Sequence, residues 1–189
     1  MVQSAAAVLA TVFTRPLSTS DEYAKGIAAL DRHWQEQRHS PVARWIRFYV
    51  LVCQADLLER MDRLEEALSA SSRALSLPAS PYARRLAIRT HTRILRRSGR
   101  ADEAFEWALA GLKRCARARD VTVARNLIRE VVRLDTPERL NDVAAAFPDL
   151  ILKVAKLPDL QNVISPEVRT PLDVVKAIAH AMRAQLPPT

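Results

Sequence analysis

The stretch RLEEALSASSRALSLPAS, residues 63–80, and the stretch SGRADEAFEWALAGL, residues 98–112, decide the fold. Leu64-Glu65-Glu66-Ala67-Leu68 in the first and Ala101-Asp102-Glu103-Ala104-Phe105 in the second stand 37 residues apart. Each follows a helical pattern and a turn, at Asp62 and at Gly99. A degenerate third copy sets Asp135 at the turn and Pro137-Glu138-Arg139-Leu140 at the start of the next helix, 36 residues on. A period in the mid-thirties with two helices per period is that of a helical solenoid, in which each hairpin buries its apolar face only against its neighbours.

Outward from these copies, helical patterns cover nearly the whole chain. Ser20, followed by Asp21 and Glu22, is the expected N-cap of a helix running to about His39, with Tyr23, Ile27, Leu30 and Trp34 on its apolar face. Pro41 is expected in the first turn of the next helix, whose apolar positions are Trp45, Phe48, Tyr49, Val52, Leu57 and Leu58. Further helices are expected at 64–77, 81–98, 101–118, 120–133, 137–146 and 148–156. A short turn of helix at 159–164 precedes a last helix opened by Thr170 and Pro171 and closed by Pro187 and Pro188. No run alternates apolar and polar residues between turn signals, so no strand is predicted. The expectation is an all-α chain: a right-handed solenoid of about three helix-turn-helix repeats over 20–147, with C-terminal capping helices over 148–189.

Residues 63–80, with Ala67, Ala74 and Pro78, resemble the second helix of a tetratricopeptide repeat, where small residues let neighbouring helices approach. Residues 98–112, followed by DVTVARNLIREVVRLDTPERLNDVAAAF at 120–147, resemble pentatricopeptide repeats more closely. Both resemblances imply the same hairpin geometry. The pentatricopeptide one also implies RNA reading through a polar residue on the first helix of each hairpin, but the matching positions hold Leu51, Ile88 and Ala124. That departure favours a protein-binding scaffold over base decoding.

Three glycines in 189 residues leave no glycine-rich loop to cradle a phosphate, so no nucleotide or other cofactor is expected. Cys53 and Cys115 lie far apart and read as buried free thiols. His33, His39, His91 and His180 are scattered with no second ligand at helical spacing, so no metal site is expected. Glu65-Glu66 and Asp102-Glu103 sit at helix starts, where carboxylates favour the positive end of the helix dipole. Trp45 and Trp107 read as packing residues. With no hydrolase signature either, the chain is expected not to be an enzyme.

Charge is the remaining signal. The net charge is +8, with 24 Arg against 5 Lys, and residues 84–133 alone carry +9. Within them Arg85, Arg89, Arg93, Arg96 and Arg100, spaced four, four, three and four residues, fall on one face over about 22 Å of helix. This stripe is the candidate partner-binding site. An acidic protein face is the first expectation and RNA phosphate the alternative.

The first twenty residues contain no acid and one base, and Arg15-Pro16-Leu17-Ser18-Thr19-Ser20 resembles the processing region of a mitochondrial presequence. Residues 1–19 therefore read either as a mitochondrial targeting segment or as an Ala-rich N-terminal helix ended by Pro16. The longest apolar run there, Ala5 to Phe13, is too short to span a bilayer, and no transmembrane helix is predicted. Three degenerate hairpins, small size and this N-terminus resemble the helical-repeat accessory subunits on the F1 head of euglenozoan mitochondrial ATP synthase. That resemblance implies a non-catalytic subunit bound to protein subunits of a larger assembly on the matrix side. The alternatives are an RNA-binding protein of an organellar ribosome and a cytoplasmic bacterial repeat chaperone or adaptor.

Overall fold

The computed structural model describes residues 19–134, 136–161, 164 and 170–184, so the N-terminal segment and the turn at Asp135 lie outside it. Among the described residues the chain is helical throughout, without strands, and divides into two compact units, Met1–Ser98 and Gly99–Thr189. The division falls at the turn of the second expected hairpin.

The first unit holds α1 (Ser20–Gln37), α2 (Ala43–Arg60), α3 (Leu64–Ser76) and α4 (Pro81–Arg97). The N-cap of α1 is Thr19 rather than Ser20. Its hydroxyl accepts from the Glu22 N–H at 3.3 Å, and Glu22 accepts from the Thr19 N–H at 3.2 Å, which closes a capping box. Pro41 lies in the turn before α2 rather than in its first helical turn. Helix α2 is apolar on nearly every side and sits at the centre of the unit, burying Ile46, Phe48, Val50, Leu51, Cys53, Ala55, Leu57 and Leu58. It packs against α1, α3 and α4. Burial of one such Leu, Ile or Phe is worth about 1.5–3 kcal/mol, so this one helix organises the unit.

Between α2 and α3 the chain reverses at Asp62, whose φ of 59° is left-handed, and the Arg63 N–H closes back onto the Leu58 carbonyl at 2.9 Å. Gly99, 37 residues later, is also left-handed at 75°, a conformation glycine adopts without a Cβ penalty. The helix start that follows is the same at both places. Arg63 grips Glu66 through two hydrogen bonds of 2.7 and 2.6 Å, and Arg100 grips Glu103 through two of 2.6 and 2.7 Å. Ala67 and Ala104, the small residues of the pattern, are both wholly buried. Turn, cap and core position thus correspond at these two places.

The second unit holds α5 (Ala101–Ala118), α6 (Val121–Val132), α7 (Pro137–Ala146), α8 (Pro148–Val154), α9 (Pro158–Gln161) and α10 (Pro171–Ala184). Four of these six begin at a proline, whose missing N–H costs nothing in a first turn. Helix α6 is the central element, packing on α5, α8 and α10 through Val123, Ala124, Leu127, Ile128 and Val131. The α5–α6 turn uses Arg119 at φ 55° and repeats the closure seen at Asp62, with the Asp120 N–H on the Cys115 carbonyl at 3.0 Å.

Candidate interaction surface

Helix α4 begins at the Ser80 cap with Pro81 in its first turn and ends at Arg97. It therefore carries four of the five stripe arginines. Arg100 stands beyond the left-handed Gly99, at the N-cap of α5, so the expectation of five guanidiniums on one helix is corrected to four.

The four are not alike. Arg85 is only 8% exposed and lies over the Tyr82 ring at 5.7 Å. Arg89 and Arg96 are half-buried. Arg93 reaches across to α2, where it donates from Nε to Glu59 at 2.7 Å and from Nη2 to Asp56 at 2.5 Å. Arg97 joins it, donating to the Glu59 carbonyl at 2.7 Å and to Asp62 at 2.9 Å. Glu59 is only 3% exposed, so these contacts compensate a buried carboxylate. Burial works against the charge on Arg93, but Glu59 and then Asp56 more than offset it and hold its pKa above the ordinary guanidinium value.

Cys53 lies in the core on α2, where burial, helped by the charge of Asp56, pushes its thiol up to about 12. Cys115 is buried as well. Arg84 serves the unit differently, donating to the carbonyls of Leu75 and Leu77 at 2.7 and 2.6 Å and so closing the end of α3.

Sequence reasoning missed the acids that receive the stripe, although they were findable. Asp56 lies 37 residues before Arg93, the interval between the two similar stretches of sequence. The same interval joins Arg139 on α7 to Asp102 on α5 in the second unit. Also missed were the exposed apolar residues of the first unit. Trp45, expected to be packed, is 43% exposed, and Val42, Tyr49 and Tyr82 are 52%, 37% and 56% exposed.

Leu51, Ile88 and Ala124, at the positions that would read bases in a pentatricopeptide array, are all in the core. His91 is buried against the Ser71 hydroxyl at 2.8 Å, and His33 is buried with its Nε2 lacking a hydrogen-bond partner. Among the described residues no group of three or more His, Cys, Asp and Glu side chains could hold a metal ion, and no helix is long and apolar enough to cross a membrane. No family model, curated protein or solved structure matches the chain.

Proposed function

We propose that the chain is a non-catalytic helical-repeat scaffold, an accessory subunit that binds protein subunits of a larger assembly. The observation that carries this reading is the ion pairing at one repeat interval, Arg93 to Asp56 in the first unit and Arg139 to Asp102 in the second. Ion pairs at one such interval are what stacked hairpins would bring together, and they support this reading. Such stacking builds surface rather than a reaction pocket, and the burial of Leu51, Ile88 and Ala124 leaves no residue at those positions to read a base.

The assembly we propose is the F1 head of mitochondrial ATP synthase, on the strength of hairpin number, chain size and the presequence-like segment Arg15–Ser20. Mass spectrometry of what co-purifies with the native full-length protein tests both levels. ATP synthase subunits at constant ratio are expected. A different protein assembly overturns the specific assignment, and stoichiometric RNA without protein overturns the scaffold.

A further inference from the structure

We infer that the first unit carries a docking face on α2 and α4 for an acidic, apolar-anchored protein segment, a proposal that rests on the scaffold reading above. Trp45, Tyr49, Val52 and Asp56 follow one another along α2 at intervals of four, three and four residues. Tyr82, Leu86, Arg89 and Arg93 follow one another along α4 at the same intervals, each 37 residues after its counterpart. The Arg93–Asp56 and Arg97–Glu59 pairs join successive residues of α4 to successive residues of α2 in the same order, so the helices run side by side and parallel. Tyr82 and Trp45 each stand 11 residues, about 16 Å, before the Arg93–Asp56 pair. By helical rise, positions 45 and 82 are therefore level, near the N-terminal ends of the two helices.

One end of this double stripe is closed by ion pairs. The other end is open and apolar: Val42, Trp45, Tyr49 and Tyr82 are all more than a third exposed. Trp, Tyr and Arg are the residue types that dominate the energetics of protein interfaces, and scattered singly on a surface they would need no explanation. Here they fall on two helices in register.

The charges around them select the occupant. Residues 37–55 contain Arg38, Arg44 and Arg47 and no acid, whereas Arg84, Arg93 and Arg97 of α4 are engaged within the fold. Arg44, next to Trp45, is exposed and makes no ion pair among the described residues. The matching segment presents apolar side chains to the aromatic floor and Asp or Glu to the rim. The rings of Trp45, Tyr49 and Tyr82 would also stack bases, so RNA is an outcome that the test distinguishes.

The test uses the full chain in its native assembly, comparing Trp45→Ala/Tyr82→Ala and Arg44→Glu with the unaltered protein, with helical circular dichroism as the folding control. Cross-linking from position 45 identifies the seated segment. At least a tenfold loss of the co-purifying protein in both variants, with the cross-link in a segment containing both acidic and apolar residues, is the expected result. Retention of that protein by both variants overturns the docking face and leaves the scaffold reading standing. Loss in the aromatic variant alone, or a cross-link to a basic segment, overturns the acidic character of the occupant. A cross-link within the same chain, to residues 1–18, overturns the partner. Association with RNA in place of protein overturns both readings at once.

Discussion

Helices α4 and α5 come from one basic stretch of sequence, yet their cations lead different lives. On α4 the arginines are turned to the needs of the fold: Arg84 closes α3, Arg85 is buried on Tyr82, and Arg93 and Arg97 bind the carboxylates of α2 and the turn after it. At the end of α5, Lys113, Arg114, Arg117 and Arg119 are all exposed, and no ion pair among the described residues involves them. The difference lies in what the chain supplies 37 residues earlier. Counting back 37 residues from Arg93 meets Asp56, whereas counting back from Arg114 and Arg117 meets Leu77 and Ser80. A density of charge says little about function until its internal partners are subtracted.

The strongest way to break the comparison is to remove the α4 clamp. Arg93→Ala leaves Glu59 buried with only Arg97 beside it, and the expected cost is about 3 kcal/mol, read as a lower urea midpoint for the first unit. Adding Glu59→Gln, which removes the uncompensated charge, recovers part of that loss. A loss below about 0.5 kcal/mol in the single variant would place Arg93 with the ornamental surface pairs and erase the distinction from α5.

A second substitution asks whether the two helix starts are equivalent in packing as they are in capping. Ala67 and Ala104 are both wholly buried at the same point of the pattern, so Ala67→Trp and Ala104→Trp should each overpack their unit by roughly 1–3 kcal/mol. Thermal melts of the two variants check this. An unchanged midpoint in either one removes that residue from the core of its repeat.

Much of this was legible in the chain, for identifiable reasons. Helix limits came through because proline and turn residues punctuate them, as at Pro81, Pro137, Pro148 and Pro171. The likeness of the two helix starts came through because the Glu–Glu–Ala and Asp–Glu–Ala patterns fix local geometry. The faces of α2 did not, because a helix apolar on nearly every side has no stripe to point inward, and Trp45 and Tyr49 looked like core. The fate of the stripe was hidden because its acids lie 34 to 37 residues away and face it only after folding. Arg100 was misplaced for a simpler reason: helical spacing was continued through Gly99, where the backbone turns left-handed.

The ionised cluster has a neighbour that sharpens the comparison through pH. Cys53 has an ordinary thiol pKa of 9.0, and burial first, then Asp56, raises it to about 12 in the fold. A raised value means that the folded protein holds its proton when the unfolded chain has lost it. The stabilisation is complete below pH 9 and is lost as pH rises from 9 toward 12. Between pH 9 and 10 the unaltered protein should lose about 1 kcal/mol more than Cys53→Ala does, by urea titration at each pH. Equal slopes would show that the thiol is reached by water in the native state.

The smallest effect is expected where the cations face solvent. Arg114→Ala and Arg117→Ala remove like charges three residues apart, which relieves about 0.2–0.5 kcal/mol of repulsion. Both also lie near the C-terminus of α5, where a cation gains about 0.3–1 kcal/mol from the helix dipole. The two terms oppose, so each variant should stay within about 0.5 kcal/mol of the unaltered protein in urea, several-fold less than Arg93→Ala. Salt separates the terms further. Because these side chains are exposed and without acidic partners, their small contributions should vanish between low and high ionic strength, while the cost of Arg93→Ala, which falls on a buried carboxylate, should persist. A loss above about 1 kcal/mol in either α5 variant, or a salt-sensitive loss at Arg93, would reverse the assignment of which basic helix serves the fold and which serves the surface.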